Sequence, residues 1–311
     1  MMDWTDRHCR YFHRQLSPSA RLFSEMVTTG AIIHGDKPRH LDFNAAEHPV
    51  VLQLGGGDPE ALAQSSEIAQ QWGYDEVNLN VGCPSGRVQK NKIGACLMLE
   101  PELVQQCVAS MIASVDIPVS VKCRLGVDEH DSYEDLHRFV ETVARSGCSR
   151  FIVHARKALL QGLSPKANRE IPSLKYEWVY QLKQDMPELD VTINGGIRDL
   201  ESVRDHLELV DGVMIGRAAY QSPWLLVECE RLLFDTTFHP DRESVVQQMV
   251  QYADNNPNVA LKHISRHMLG LFSGLPGARA WRRFISENAH VRGADSSVLF
   301  DAMQMMQQRP G

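Results

Sequence analysis

Short apolar runs alternate with amphipathic stretches along the first two-thirds of the chain. The apolar runs occupy residues 22–27, 49–54, 77–81, 119–122, 151–154, 191–194 and 213–215. Stretches with helical periodicity lie between them, among them 59–72, 101–114, 133–145 and 175–185. Strands that alternate with helices predict parallel strands joined by right-handed crossovers. Seven such strands favour an α/β fold of the TIM (β/α)8 barrel type over an open sheet.

One strand of that barrel is not visible in the pattern. An eight-stranded barrel needs a further strand ahead of residue 22, whereas residues 1–14 show no strand pattern and read as a loop. We therefore expect the first strand to be missing at the N-terminus, with the protein or its relatives beginning some residues earlier.

The pattern changes after Arg217, where strands stop and helices follow. The helical stretches lie near 223–234, 241–254, 257–272, 276–289 and 295–307, and prolines stand near the starts of most of them. Proline is tolerated at a helix start because the amide it lacks has no helical partner there. The chain is therefore predicted to contain a barrel domain over residues 1–234 and an all-α domain over residues 235–311.

Composition narrows the class of protein. The chain has 311 residues, 43% of them hydrophobic, which is enough for one large core and a smaller second domain. It lacks an apolar run of about 18 residues, so no membrane partner is expected. Seven cysteines without a CxxC pair predict neither a disulfide framework nor a metal site, and favour a cytoplasmic protein. The oligomeric state stays open, with a monomer favoured. A net charge of −7 argues against nucleic-acid binding unless basic residues cluster locally.

Polar residues and glycines collect where the predicted strands end, which is where barrels of this class hold their active sites. These positions are Gln53, Asn80, Cys83, Lys122, His154, Asn194, Gly195, Gly196, Gly216 and Arg217. The two last glycine turns follow the last two strands, where barrels commonly bind phosphate through backbone amides. The alternative is that they are ordinary turn glycines.

Three side chains at these ends suit a flavin. A lysine at position 122 is costly to bury without an anion, and the N1–C2–O2 edge of a reduced flavin is one. Gln53 offers both a donor and an acceptor to a pyrimidine-like ring edge. His154 either contacts the same ring or is a half-buried histidine with its own partners, and Lys122 is alternatively a solvated lysine.

The thiol of Cys83 has three interpretations. It is an inert packed cysteine, a nucleophile, or a general acid. A free thiol titrates near about pH 8.5 and is protonated at neutral pH, a state that suits proton donation.

Several motifs resemble the tRNA-dihydrouridine synthase family over nearly the whole chain. They are the N-terminal MMDWTDR, LNVGCPS at 79–85, VKCR at 121–124, VHAR at 153–156 and NGG at 194–196. The stretch 161–172 is similar to the A-type subfamily in particular. The resemblance implies FMN in a barrel, NADPH as reductant, and tRNA uridines 20 and 20a as substrate.

The resemblance also implies roles for individual residues. Cys83 matches the proton donor to uridine C5, after hydride addition at C6, and Asn80 matches a residue near the target base. The residues that match flavin contacts are Met1, Met2, Gln53, Lys122, His154, Asn194, Gly195, Gly196, Gly216 and Arg217.

Basic clusters supply candidate tRNA contacts. The candidates are Arg87, Lys166, Arg169, Arg279, Arg282 and Arg283. Each cluster is alternatively a solvated charged face. Two other functions stay open: another FMN barrel oxidoreductase that acts on a free pyrimidine, and a catalytically inactive RNA-binding relative.

Overall fold

A seven-stranded parallel sheet forms the first part of the molecule in a computed structural model that describes residues 1–85 and 92–307. The strands pair in sequential order, each with the next. They are β1 Leu22–Thr28, β2 Val50–Gly55, β3 Glu76–Asn80, β4 Val119–Arg124, β5 Arg150–His154, β6 Asp190–Asn194 and β7 Gly212–Met214. The predicted parallel sheet is therefore confirmed, and each predicted strand corresponds to an observed one.

Helices stand before, between and after the strands. Those that the structure describes are α1 Arg7–Leu16, α2 Thr29–His34, α3 Lys37–Leu41, α4 Pro59–Trp72, α5 Pro101–Ser114, α6 Tyr133–Ala144, α7 Tyr176–Asp185, α8 Leu200–Leu207, α9 Arg217–Gln221, α10 Leu225–Leu233, α11 Arg242–Asp254, α12 Leu261–Ser265, α13 Ala278–Asn288 and α14 Ser297–Gln307. Short 3-10 helices lie at Ala45–Glu47, Gly94–Leu99, Ala167–Arg169 and Arg266–Met268.

Side-chain caps explain where helices α4 and α6 begin. The Asp58 carboxylate accepts a hydrogen bond from the Ala61 amide, and Pro59 occupies the first turn of α4. Ser132 and Asp135 form a reciprocal capping box at the start of α6. Such caps satisfy amides that have no partner within the helix, so the local sequence sets these boundaries.

Helix α1 differs from the loop expected near the N-terminus. Asp6 caps it by accepting from the amides of His8 and Cys9. Its buried side carries charged residues that have partners, for example Arg10, whose Nε lies 2.6 Å from the Glu47 carboxylate. Its buried apolar residues, Cys9, Phe12 and Leu16, are interrupted by these charged ones, so the apolar stripe of the helix is narrow in the sequence.

The C-terminal helices follow the prediction with one difference. The stretch 257–272 was expected to be one helix, but α12 ends at Ser265 and continues only as the 3-10 helix Arg266–Met268. The other four predicted helices correspond to α10, α11, α13 and α14.

Two clusters of buried apolar residues organise the molecule. The first surrounds the sheet and includes Leu52, Leu79 and Phe151. The second joins Phe12 and Leu16 of α1 to the helices after β7, with Trp281 buried at its centre. The division into domains over residues 1–234 and 235–311 stays a prediction.

Residues 1–85 and 92–307 contain no helix that combines the length and the apolar character needed to cross a membrane. No group of three or more His, Cys, Asp or Glu side chains in these same ranges is arranged to hold a metal ion.

Candidate active site at the strand ends

Strand register places the predicted residues along one edge of the sheet. Asn80 of β3 lies level with Lys122 of β4, and Arg124 lies level with His154 of β5. His154 in turn pairs with Asn194 of β6. Carboxyl ends of parallel strands share one edge, so residues distant in sequence meet there.

The loop after β3 holds Cys83 in place through its backbone. The Cys83 amide donates to the Asn80 side-chain oxygen over 2.9 Å, and the Gly82 amide donates to the same oxygen over 3.0 Å. The Cys83 carbonyl accepts from the Ala95 amide at 2.9 Å. The thiol therefore sits on a backbone that is fixed on both sides of its Cα.

The Cys83 thiol lies among cations. Burial lowers the pKa of Lys122, Arg124 and Arg169, and the nearby Cys83 thiol opposes this shift in each. Cys83 and Cys96 are the two cysteines that are not fully buried. Burial raises the pKa of Cys107 and Cys123 to about 12, so those thiols are suited to packing and not to chemistry.

Lys122 and His154 both have lowered pKa values. Burial, and then the Arg124 charge, lower the pKa of Lys122 to about 8, which leaves it a cation at neutral pH. Burial, followed by Arg124 and Lys122, lowers the pKa of His154 well below its ordinary value, so this imidazole is neutral. Lys122 forms no ion pair with any residue in the described ranges.

Gln53 belongs to a buried chain of amides and hydroxyls inside the sheet. Its Nε2 donates to Asn78 over 2.9 Å, and its Oε1 accepts from Asn80 at 2.8 Å. Asn78 continues the chain to Ser120, which donates to Glu76 over 2.5 Å. One N–H and one lone pair of the Gln53 amide are left by these bonds. The contact of Gln53 with a ring edge stays a prediction.

The turn after β6 leaves no space for a side chain at Gly195 or at Gly196. A Cβ on Gly195 would stand 2.6 Å from His154 Cδ2, and Gly195 has a φ of +113°. A Cβ on Gly196 would stand 2.6 Å from the Tyr176 hydroxyl, which itself donates to the Gly195 carbonyl at 2.7 Å. The Asn194 amide donates to the Met214 carbonyl over 2.7 Å and ties this turn to β7.

Gly216 and Arg217 lie at the end of β7 beside the N-terminal residues. Met1 Sδ would be 3.7 Å from a Cβ on Gly216, whereas Met2 is 61% exposed. Arg217 pairs with Glu170 at 2.6 Å, which joins this strand end to the loop after β5.

Two arginines at the edge were not among the predicted site residues. Arg124 donates to the Gly82 carbonyl, and Arg156 donates to the Pro172 carbonyl. Arg156 Nε is buried and finds no acceptor among the residues that the structure describes. A charged residue that closes an otherwise apolar strand, as Arg124 does, was the signal in the sequence.

The predicted tRNA contacts lie in two described regions. Lys166 and Arg169 are exposed on the loop after β5. Arg279, Arg282 and Arg283 are exposed on α13, whose other face buries Trp281. Arg87 lies outside the described residues.

Comparisons with known proteins all match one family. The family model described as "Dihydrouridine synthase (Dus)" matches residues 1–307. The chain is 56% identical over 310 residues to the tRNA-dihydrouridine(20/20a) synthase of Shewanella oneidensis, covering 99% of this chain and 92% of that protein. It is 55% identical over 307 residues to the protein of that name from Vibrio cholerae, covering 97% and 94%. The match to the Escherichia coli K12 protein of that name is 56% over 310 residues, covering 98% and 90%.

Proposed function

Because the chain belongs to the dihydrouridine synthase family, we propose that it reduces uridines 20 and 20a of tRNA to 5,6-dihydrouridine. The observation that carries the proposal is the meeting of a partly exposed thiol, a cationic lysine and a neutral histidine at one strand-end edge. Reduction of a conjugated C5=C6 bond needs a proton donor beside a site that stabilises negative charge, and this edge supplies both.

The described residues fit FMN as the cofactor. The Lys122 ammonium has no acidic partner among them, and Arg156 carries a buried Nε without an acceptor. Such groups are stabilised by an anion. Lys122, His154 and Gln53 would hold the ring, and Asn194, Gly195, Gly196, Gly216 and Arg217 would hold the phosphate, with Met1 and Met2 beside them. FMN, reduced by NADPH, would supply a hydride to uridine C6.

Cys83 is the proton donor in this proposal. Its S–H bond breaks as a C–H bond forms at uridine C5, and the resulting thiolate regains a proton from solvent. Lys122 and Arg124 lie close to the thiol, and cations stabilise the thiolate left by proton transfer. The Lys122 charge also stabilises the negative charge that spreads to the uracil O4 before protonation.

His154 acts as a neutral hydrogen-bonding group. Its imidazole remains uncharged because burial and four cationic neighbours lower its pKa. A neutral ring both donates and accepts one hydrogen bond, so His154 orients a polar ring edge without adding charge to an already cationic edge.

The substrate must reach this edge from a folded RNA. Extruding a stacked base costs a few kcal/mol, and contacts to phosphates elsewhere compensate for this cost. Lys166 and Arg169 beside the site, and Arg279, Arg282 and Arg283 on α13, are the exposed cations that we assign to tRNA. Asn80 lies next to the base site and Arg87 follows it in the chain.

Finer points of architecture belong to the same proposal. The seven strands would form the body of a barrel of the (β/α)8 class. The helices after residue 234 would form the tRNA-binding domain. A tRNA substrate also accords with the cytoplasmic protein expected from the cysteine content.

The decisive experiment follows flavin and tRNA in turn. Purified protein with FMN is bleached by NADPH without air, mixed with unmodified tRNA, and monitored for flavin reoxidation and for dihydrouridine by mass mapping. We expect reoxidation with tRNA and dihydrouridine at 20 and 20a. Equal rates with free uridine would instead favour a free-pyrimidine oxidoreductase, and tight tRNA binding without reoxidation would indicate an inactive RNA-binding protein.

Cys83→Ala tests the proton donor. Flavin binding and reduction by NADPH should be unchanged, while oxidation by tRNA should slow by about 10²–10⁴-fold, the usual contribution of a general acid. Cys96→Ala is the matched control, because Cys96 is the other partly exposed thiol and only donates to the Ile93 carbonyl. Equal rates in the two variants would contradict the assignment.

A further inference from the structure

Arg124 connects three segments at the edge of the site. Its Nε donates to the Gly82 carbonyl over 2.9 Å. Its Nη1 donates to the carbonyls of Lys157 at 3.0 Å and Asn168 at 2.9 Å. One side chain from the end of β4 therefore bonds the Cys83 loop and two points of the loop after β5.

These three carbonyls are the main partners of the buried Arg124 guanidinium. Arg124 is only 3% exposed, and no carboxylate pairs with it among residues 1–85 and 92–307. Burial lowers its pKa to about 10, so it stays a cation at neutral pH. Burying an unpaired charge destabilises a fold, so this arginine is not explained by stability alone.

The part of the loop after β5 that Arg124 binds is held by its own hydrogen bonds. The Asn168 side chain is fully buried and forms two hydrogen bonds with the Leu159 backbone, at 2.8 and 2.9 Å. This internal bonding closes the segment from 159 to 168 on itself. Arg124 thus ties the Cys83 loop to a segment that is itself held by internal hydrogen bonds.

The Gly82–Cys83 peptide group is hydrogen-bonded at both its carbonyl and its amide. Arg124 binds the carbonyl of the Gly82–Cys83 peptide, and Asn80 binds the amide of the same peptide. Fixing both ends sets the plane of the peptide, and the Cα of Cys83 lies in that plane. The Ala95 amide holds the Cys83 carbonyl on the other side of that Cα. The direction of the Cα–Cβ bond of Cys83 therefore depends on Arg124, Asn80 and Ala95 together.

We propose that Arg124 is the positioning residue for Cys83. It holds the thiol at the angle needed for proton transfer to the base, and it links that angle to the loop carrying Lys166 and Arg169. The inference rests on the proposed function of Cys83. A displacement of about 1 Å at a reacting group reduces a rate by about 10²-fold, so loss of the tether should be measurable.

A double-mutant cycle tests this, with Arg124→Lys as the main variant. Lysine keeps the charge but cannot reach three carbonyls with a planar fork. We expect Arg124→Lys to slow flavin oxidation by tRNA by about 10²-fold, with flavin content and NADPH reduction unchanged. Adding it to Cys83→Ala should slow that variant by less than about twofold, because a residue that acts through the thiol has no effect without it.

A second measurement reports on the thiol without tRNA or turnover. In a Cys96→Ser background, Cys83 is the remaining partly exposed cysteine, and its alkylation by iodoacetamide is followed by mass spectrometry. A hydrogen bond from a charged donor stabilises by about 1.5–3 kcal/mol, so Arg124→Lys should raise the alkylation rate by about tenfold or more. Arg145→Gln, an exposed helix-surface variant, should leave rates and alkylation unchanged.

The outcomes separate the two proposals. Wild-type protein that fails to reduce tRNA would refute the function. Active wild-type protein whose two losses multiply in the double variant would refute only the role of Arg124, as would unchanged alkylation of Cys83. If Arg124→Lys lost its circular dichroism signal, Arg124→Gln would be put through the same cycle and alkylation assay.

Discussion

Replacing Gly195 by alanine is expected to remove flavin binding through a contact that involves no flavin atom. The added Cβ would stand 2.6 Å from His154 Cδ2 and 3.0 Å from its Nε2. The backbone cannot relieve this easily, because the turn is also held by the Tyr176 hydroxyl on the Gly195 carbonyl. The imidazole of His154 must therefore move away from the strand-end edge.

The free-energy cost has two parts. Gly195 has a φ of +113°, and a side chain in this half of conformational space costs about 1–2 kcal/mol. Forcing a methyl group into a packed site costs a further 1–3 kcal/mol or so. The variant should therefore lose about 2–5 kcal/mol of unfolding free energy, measured by urea denaturation without flavin.

Gly147→Ala is the matched control, because it carries the conformational strain without the collision. Its φ is +94°, and among the described residues an added Cβ would come no closer than 3.9 Å, to Ile112 Cδ1. Its unfolding free energy should fall by only about 1–2 kcal/mol, the conformational cost. It should bind FMN like the wild type. Isothermal titration of flavin-free protein measures both affinities.

One result would refute the reasoning. If Gly195→Ala were no less stable than Gly147→Ala and bound FMN with wild-type affinity, the His154 ring would not depend on the glycine turn. The placement of His154 in the flavin site would then have to be abandoned.

Three further predictions concern charge. With the pKa of Lys122 near 8, the cation is lost at higher pH, so FMN affinity of the flavin-free protein should fall above about pH 8, by up to tenfold per unit; titrations of Lys122→Met should show no such fall. Arg282→Ala with Arg283→Ala should raise the KM for tRNA and reduce its logarithmic salt slope by about two, whereas a parallel pair at Arg138 and Arg145 should not. Glu230 accepts from Ser17 and from both the amide and hydroxyl of Ser19, so Glu230→Gln should lower the unfolding free energy by about 1.5–3 kcal/mol in urea titrations.

Strand β2 could be predicted because its apolar run is short and buried on both faces. Residues 50–55 of β2 are all buried, and Gln53 is the one polar side chain among them. Helix α1 could not be predicted in the same way, since its buried face carries Arg10 and Arg14, whose partners lie tens of residues away. Periodicity reports apolar burial, and paired charges escape it.

The site was predictable to the level of strand ends and not beyond. Lys122 and His154 are recognisable as polar residues that close apolar strands. The role of Arg124 depends on backbone carbonyls at Gly82, Lys157 and Asn168. A carbonyl is present at every position of every sequence, so only the folded chain shows which ones an arginine reaches.

The packing of α1 against the last helices affects how the chain emerges from the ribosome. Asp6 binds Arg266, 260 residues further along, and Phe12 shares a cluster with Trp281. At a synthesis rate of about 5–20 residues per second, the early helix waits about 13–52 s for its partners. During that interval Phe12 and Leu16 lack the C-terminal partners of their cluster, so we expect this helix to be a binding site for chaperones during synthesis.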